Sequence, residues 1–179
     1  MQPSHIETNE GSASEMAPPR HMLTLAAAAL ALTLIGGTGH AGDVQEVLVV
    51  HQHTDLSAAR AQHMYRFEPN VLHVEPGATV AFLNSLGDHT VRTQKGLWPE
   101  GVEPIDIAGQ SRSEVSFDQP GLYGITCARH GRYGMSMIIA VGEEGLAQAA
   151  ALDTDEIPAT DMAREAYDAL VTKLLADGS

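Results

Sequence analysis

The stretch Cys127-Ala128-Arg129-His130-Gly131-Arg132-Tyr133-Gly134-Met135 brings a thiol, an imidazole and a thioether onto one short segment. A Cys-x-x-His pair alone is a weak signal. It gains weight from Met135, from the glycines that let the segment fold back, and from the upstream Asp88-His89-Thr90-Val91. Two imidazoles and one thiolate in a trigonal plane, with a weak axial Met, form a blue-copper (type 1) site. Thiolate and thioether are soft and favour Cu(I), whereas imidazole suits both oxidation states. The predicted ligands are therefore His89, Cys127, His130 and Met135. Such a set leaves no position open for substrate, so the expected chemistry is electron transfer, and the chain is expected not to be an enzyme. The same residues admit other readings. Cys127 could be a buried structural thiol or a nucleophile beside His130 or His89. The set could also hold zinc, which accepts Cys and His but rarely a thioether.

The segments that must position these residues read as short strands. Val47 to Val50 is a continuous apolar run, and Val71 to Val74 ends at the turn signature Glu75-Pro76-Gly77. Ala78 to Asn84 and His89 to Thr93 follow as two separate strands. Val115 to Phe117, Leu122 to Thr126 and Met137 to Val141 complete the set. Frequent turns between short strands predict an all-β Greek-key sandwich. The tail differs. Gly145 to Ala151 is Ala-rich, and Pro158-Ala159-Thr160 introduces a second helix with Thr160 or Asp161 as N-cap. Met162, Ala166, Leu170 and Leu174 recur every four residues and predict the face that packs on the sandwich.

The chain of 179 residues carries a formal net charge of −13, which argues against nucleic-acid binding. The acidity is concentrated after Gly142, where only Arg164 and Lys173 oppose it. Cys127 is the one cysteine, so no intrachain disulfide is possible. Residues 1 to 41 have the layout of an export signal. Arg20-His21 precede an apolar run from Met22 to Ile35, and small residues lead to cleavage after Ala41. The run is shorter than the ~20 residues that span a bilayer. The expected organisation is a leader over 1–41, a sandwich domain over 42–142 and a helical extension over 143–179. The polar, Ala-rich stretch from Asp55 to Gln62 is expected to be an inserted loop or helical turn.

Three segments resemble the cupredoxins, and closely their pseudoazurin branch. They are His89-Thr90-Val91 with Lys95-Gly96-Leu97-Trp98-Pro99-Glu100-Gly101, Pro120 to Cys127, and Gly134 to Gly142. The resemblance runs from about Phe67-Glu68-Pro69 to the end of the chain. It implies a cupredoxin-like sandwich with two C-terminal helices and one type 1 copper on His89, Cys127, His130 and Met135. It also implies a periplasmic shuttle of single electrons between redox proteins, such as a copper nitrite reductase or a cytochrome, and a monomer is expected. Two positions depart from the family. Thr90 stands where Asn is usual, and Arg129 stands where Pro is usual, which gives that position an N–H able to point at the Cys127 sulfur.

In the family fold, electrons leave through the edge of the later ligand His, here His130. The expected surroundings are Leu86, Gly87, Trp98, Pro99 and Gly131. Arg92, Lys95, Arg129 and Arg132 lie near ligands in sequence and fit either a basic rim for an acidic partner or scattered solvated charge. The alternative function is a periplasmic copper carrier or scavenger, against which the closed ligand set argues. His51, His53 and His63 could form a second metal site, but exposed strand and loop histidines are the plainer expectation, as for His73.

Overall fold

The computed structural model describes residues 44–51 and 64–177. Seven strands form one curled sheet: β1 Gln45–His51, β2 Tyr65–Glu68, β3 Val71–Val74, β4 Ala78–Thr93, β5 Asp106–Phe117, β6 Gly121–Thr126 and β7 Ser136–Val141. Helices α1 Gly142–Ala150 and α2 Asp161–Asp177 follow. The order across the sheet is β2-β1-β4-β6-β7-β3, with β5 on β4. β1 runs parallel to β4 and β3 parallel to β7, while the remaining pairs are antiparallel. The predicted segment 55–62 and the leader lie outside the described residues.

The two strands expected over Ala78–Asn84 and His89–Thr93 are one strand of 16 residues. Its pairing with β5 shifts register between Ser85 and Thr90. The shift coincides with positive φ at Asn84 (66°) and Gly87 (62°), so a bulge takes the place of the expected break. A bulge bends a strand without ending it. The first half of β4 pairs with β1 and the second half with β6, and one strand thereby serves both sides of the curl. His89 sits at the bend.

Burial parity explains the apolar runs. Val47 and Val49 are buried while Leu48 is exposed, so β1 has one core face. All six residues of β7 are buried. Met137, Ile139 and Val141 enter the sandwich core with Phe67, Phe82, Phe117 and Tyr123. Ile138 and Ala140 face the opposite way, into a second core with Leu122, Tyr167, Leu170 and Leu174. A strand covered on both faces reads as a continuous apolar run. At the β3–β4 corner Gly77 takes φ +88°, and the Ala78 N–H donates to the Glu75 carbonyl at 3.1 Å, as the Pro-Gly signal predicts.

The tail helices pack on the sheet. Thr160 caps α2, its Oγ1 accepting from the Ala163 N–H at 3.3 Å. The buried face of α2 is Ala163, Tyr167, Leu170 and Leu174, which corrects the predicted stripe. Met162 is 41% exposed. A large aromatic at 167 claims the interior and rotates the first turns by one residue.

Candidate metal centre

Cys127 follows directly on β6, and Met135 directly precedes β7. The sheet therefore fixes both ends of the loop between them. Inside the loop, the Gly131 N–H donates to the Cys127 carbonyl at 2.8 Å, and the Tyr133 and Met135 N–H groups both donate to the His130 carbonyl, at 2.9 and 3.2 Å. The Cys127 N–H donates to the Met135 carbonyl at 3.2 Å. A single 3-10 turn, Gly131–Tyr133, ends at Gly134 with φ 91°. A Cβ on Gly131 would lie 2.0 Å from Thr126 Oγ1, so only glycine lets the turn lie on the strand end.

From β4, His89 joins this loop. Donor atoms of His89, Cys127 and His130 lie within 4.8 Å of one another, and all three residues are buried. Cys127 Sγ is 3.7 Å from His130 Nδ1. Met135 is buried in the same core cluster, at 1% exposure. Neither ring nitrogen of His89 has a hydrogen-bond partner, although both are buried. Two orphaned imidazole nitrogens are costly in a protein interior; a metal on one of them removes part of that cost. Burial, then the neighbouring His51, lowers the His89 pKa against a smaller opposing pull from Asp88. Burial chiefly, then His89, His51 and Arg129, lowers that of His130. Both rings are thus held neutral, the form that binds a metal. The three groups fit a soft ion that accepts imidazole and thiolate, which copper does.

Thr90 connects the two halves of the site. Its Oγ1 accepts from the Ala128 N–H at 2.8 Å and lies 3.8 Å from Cys127 Sγ. Thr at this position therefore ties the ligand loop to β4 in spite of the departure from Asn. The Asp88 carbonyl also lies 3.8 Å from the sulfur. The Arg129 guanidinium pairs with the Asp88 carboxylate at 2.9 Å on the exposed surface.

Two aromatic neighbours were not legible in the sequence. Tyr65, on β2, stacks on His130 with ring centroids 3.8 Å apart and planes 8° apart. His51, at the end of β1, meets His89 edge-on at 5.3 Å and Tyr65 at 4.7 Å. β1 and β2 pair through His51 and Tyr65. His53 and His63 lie outside the described residues, and His73 is exposed on β3 as expected.

The surroundings of the site differ from expectation in part. Leu86 is 45% exposed on the bend that carries His89. Trp98 packs on Tyr123, and Pro99 is the nearest neighbour of Gly121, at the end of β6 away from Cys127. Gly131 is buried under Thr126. Arg92 is held by both oxygens of Asp106, at 2.6 and 2.8 Å. With Arg129 also paired, two of the four predicted rim cations are neutralised by adjacent carboxylates.

A curled strand sandwich with two imidazoles and a thiolate gathered at one end defines the cupredoxin class. The plastocyanin/azurin family model of copper-binding proteins matches residues 53–142, half of the chain. A pseudoazurin of Paracoccus pantotrophus is 32% identical over 120 residues, covering 67% of this chain and 77% of that one. A Rhizobium leguminosarum bv. viciae protein named as a pseudoazurin is 40% identical over 77 residues, 43% of this chain and 51% of that one. The chain thus spans about half the length of the Rhizobium relative. The crystal structure of native pseudoazurin from Hyphomicrobium denitrificans superposes with a TM-score of 0.59 at 26% identity, covering 73% of this chain and 98% of that one. The chain belongs to the plastocyanin/azurin family of copper-binding proteins and is a pseudoazurin-like cupredoxin. Its cofactor is copper.

Proposed function

We propose that this protein is a single-electron carrier whose type 1 copper is held by His89, Cys127, His130 and Met135. The observation that carries the reading is the convergence of three buried donors within 4.8 Å, with Cys127 Sγ facing His130 Nδ1. Copper bound there supplies a one-electron redox couple. The chain's own residues do the rest. Cys127 and His130 are held on one hydrogen-bonded loop, and Thr90 ties that loop to the strand of His89. The tight fixing of donors favours electron transfer, because a site that barely rearranges between oxidation states exchanges electrons readily. The enclosed donor set leaves no place for substrate, so the carrier is not an enzyme.

The proposed organisation is an exported leader over 1–41, a copper domain over 42–142 and a helical extension over 143–179. The working compartment is the periplasm and the working form a monomer. The partner is another redox protein, such as a copper nitrite reductase or a cytochrome, docked at the exposed Leu86 on the bend that carries His89. No helix among the described residues is long and apolar enough to cross a membrane. Rapid mixing of the copper(I) protein with an oxidised copper nitrite reductase tests the proposal. Reoxidation of this protein with matching reduction of the enzyme is expected. A copper that binds but exchanges no electrons with either a nitrite reductase or a cytochrome would leave it a metal carrier.

A further inference from the structure

Among the described residues two phenols, Tyr123 and Tyr167, are buried and unused by the proposed electron transfer, and one of them adjoins the ligand loop. Tyr167, on α2, is fully buried, and its hydroxyl donates to the Ile125 carbonyl at 2.8 Å. Burial holds the phenol well above its ordinary pKa, against weaker pulls from the nearby hydroxyls of Ser136 and Thr126. Ser136 is itself buried, and its Oγ has no hydrogen-bond partner.

The sequence positions of these partners give the arrangement its meaning. Thr126 immediately precedes Cys127, and Ser136 immediately follows Met135. Thr126 and Ser136 also oppose one another across the β6–β7 ladder. On its other side, Thr126 Oγ1 packs directly on Gly131, the residue after His130. One phenol oxygen thus sits among groups adjoining the three ligands of the loop. The same helix makes a second attachment: the Thr160 hydroxyl donates to the Arg132 carbonyl at 3.0 Å, at the outer edge of the loop.

We propose that Tyr167 is a positioning residue for the copper loop. Through its hydroxyl, α2 fixes where the loop begins and ends, and so sets how Cys127, His130 and Met135 present their donor atoms. The inference rests on the proposed ligand set. Its physical basis is that a buried carbonyl left without its donor is costly, so the Tyr167 hydroxyl holds the strand end that leads into Cys127. Deleting the phenol oxygen leaves the buried Ile125 carbonyl, two residues before Cys127, without this donor. The strand end then reorients, and the loop moves with it.

Tyr167→Phe tests this in the full chain, because the ring stays to fill the core and only the oxygen is lost. Leu174→Ala, on the same buried face of α2 but away from the hub, serves as the packing control. In the copper-loaded protein, Tyr167→Phe is expected to change the ratio of Cu(I) to Cu(II) affinity at least about threefold, a potential shift of about 28 mV at 59 mV per tenfold for one electron. The relative intensities of the thiolate-to-copper absorption bands are expected to change with it. In the metal-free protein, hydrogen exchange at the Cys127, Gly131 and Met135 amides is expected to quicken in Tyr167→Phe more than in Leu174→Ala. If both variants only lower the melting temperature, with potential, band ratio and loop exchange as in the wild type, Tyr167 is a packing residue and the proposal is overturned. If the wild type itself shows no thiolate-to-copper band, the ligand assignment fails, and the exchange experiment still decides whether Tyr167 positions the loop.

Discussion

The Tyr65 ring lies flat on the His130 imidazole, 3.8 Å away and 8° from parallel. A stack on a ligand ring restrains its rotation about the bond that aims the nitrogen. Aromatic pairs contribute about 0.5–1.5 kcal/mol beyond the area they bury. Tyr65→Leu should therefore destabilise the metal-free protein by about 1–2 kcal/mol in chemical denaturation. It should also move the His130 ring protons downfield in the NMR spectrum, because ring-current shielding is lost. Unchanged ring shifts would mean that the stack is not populated in solution.

Thr90 makes two contacts with the Cys127 loop, and a near-isosteric change separates them from packing. Thr90→Val leaves the Ala128 N–H without its acceptor and removes the hydroxyl 3.8 Å from the sulfur. The expected loss of stability is about 1–2 kcal/mol. A thiolate with one fewer donor is more electron-rich and favours Cu(II), so the reduction potential should fall. Voltammetry of the two proteins at one pH checks the direction. A rise would show that the hydroxyl does not point at the sulfur.

The two ligand imidazoles give the metal-free protein a pH dependence of definite sign. Burial depresses the pKa of both His89 and His130 below the ordinary value. Between the folded and unfolded values the unfolded chain holds more protons, so stability rises with pH. The contribution is complete above the unfolded value of about 6.5 and is lost as pH falls through the depressed folded values. Urea unfolding of the metal-free protein should therefore give a lower midpoint at about pH 5 than at about pH 7.5, and His89→Gln should flatten the difference. An equal slope in that variant would place the effect on other groups.

Gly131→Ala should disrupt the loop more than its size suggests. The new methyl would meet Thr126 Oγ1 at 2.0 Å, and Thr126 is fixed in β6 between two neighbouring strands. Overpacking of this kind costs about 1–3 kcal/mol. Its readouts are a lower melting temperature and weaker copper binding. Gly101→Ala is a useful contrast, since its Cβ would meet nothing within 4 Å. It has positive φ, so it should cost stability without affecting copper.

The ligand loop was legible because its information is local. A thiol, an imidazole and a thioether are chemically distinctive types, and two short strands flank them. The all-β sandwich followed from the same local signals, as did the Thr160 cap. What the sequence hid depends on long-range pairing. The bend at Asn84 to Gly87 reads as a break, and only pairing of β4 with both β1 and β6 makes it a bulge within one strand. Tyr65 reaches His130 because β2 is added beside β1, and no periodicity announces a four-residue strand. The buried face of α2 is set by Tyr167 finding polar partners under the ligand loop, which spacing of Met162, Ala166, Leu170 and Leu174 cannot encode. Arg129 was read for its backbone N–H, but its side chain found Asp88.

The central claim is that Cys127 holds copper as a thiolate together with His89, His130 and Met135. The visible absorption spectrum of the Cu(II)-loaded protein tests it most directly, recorded before and after ascorbate and alongside Cys127→Ala. The predicted result is an intense thiolate-to-copper band that bleaches on reduction, returns on reoxidation and is absent from the variant. Copper bound in equal amount by both proteins, with no such band in either, would contradict the claim.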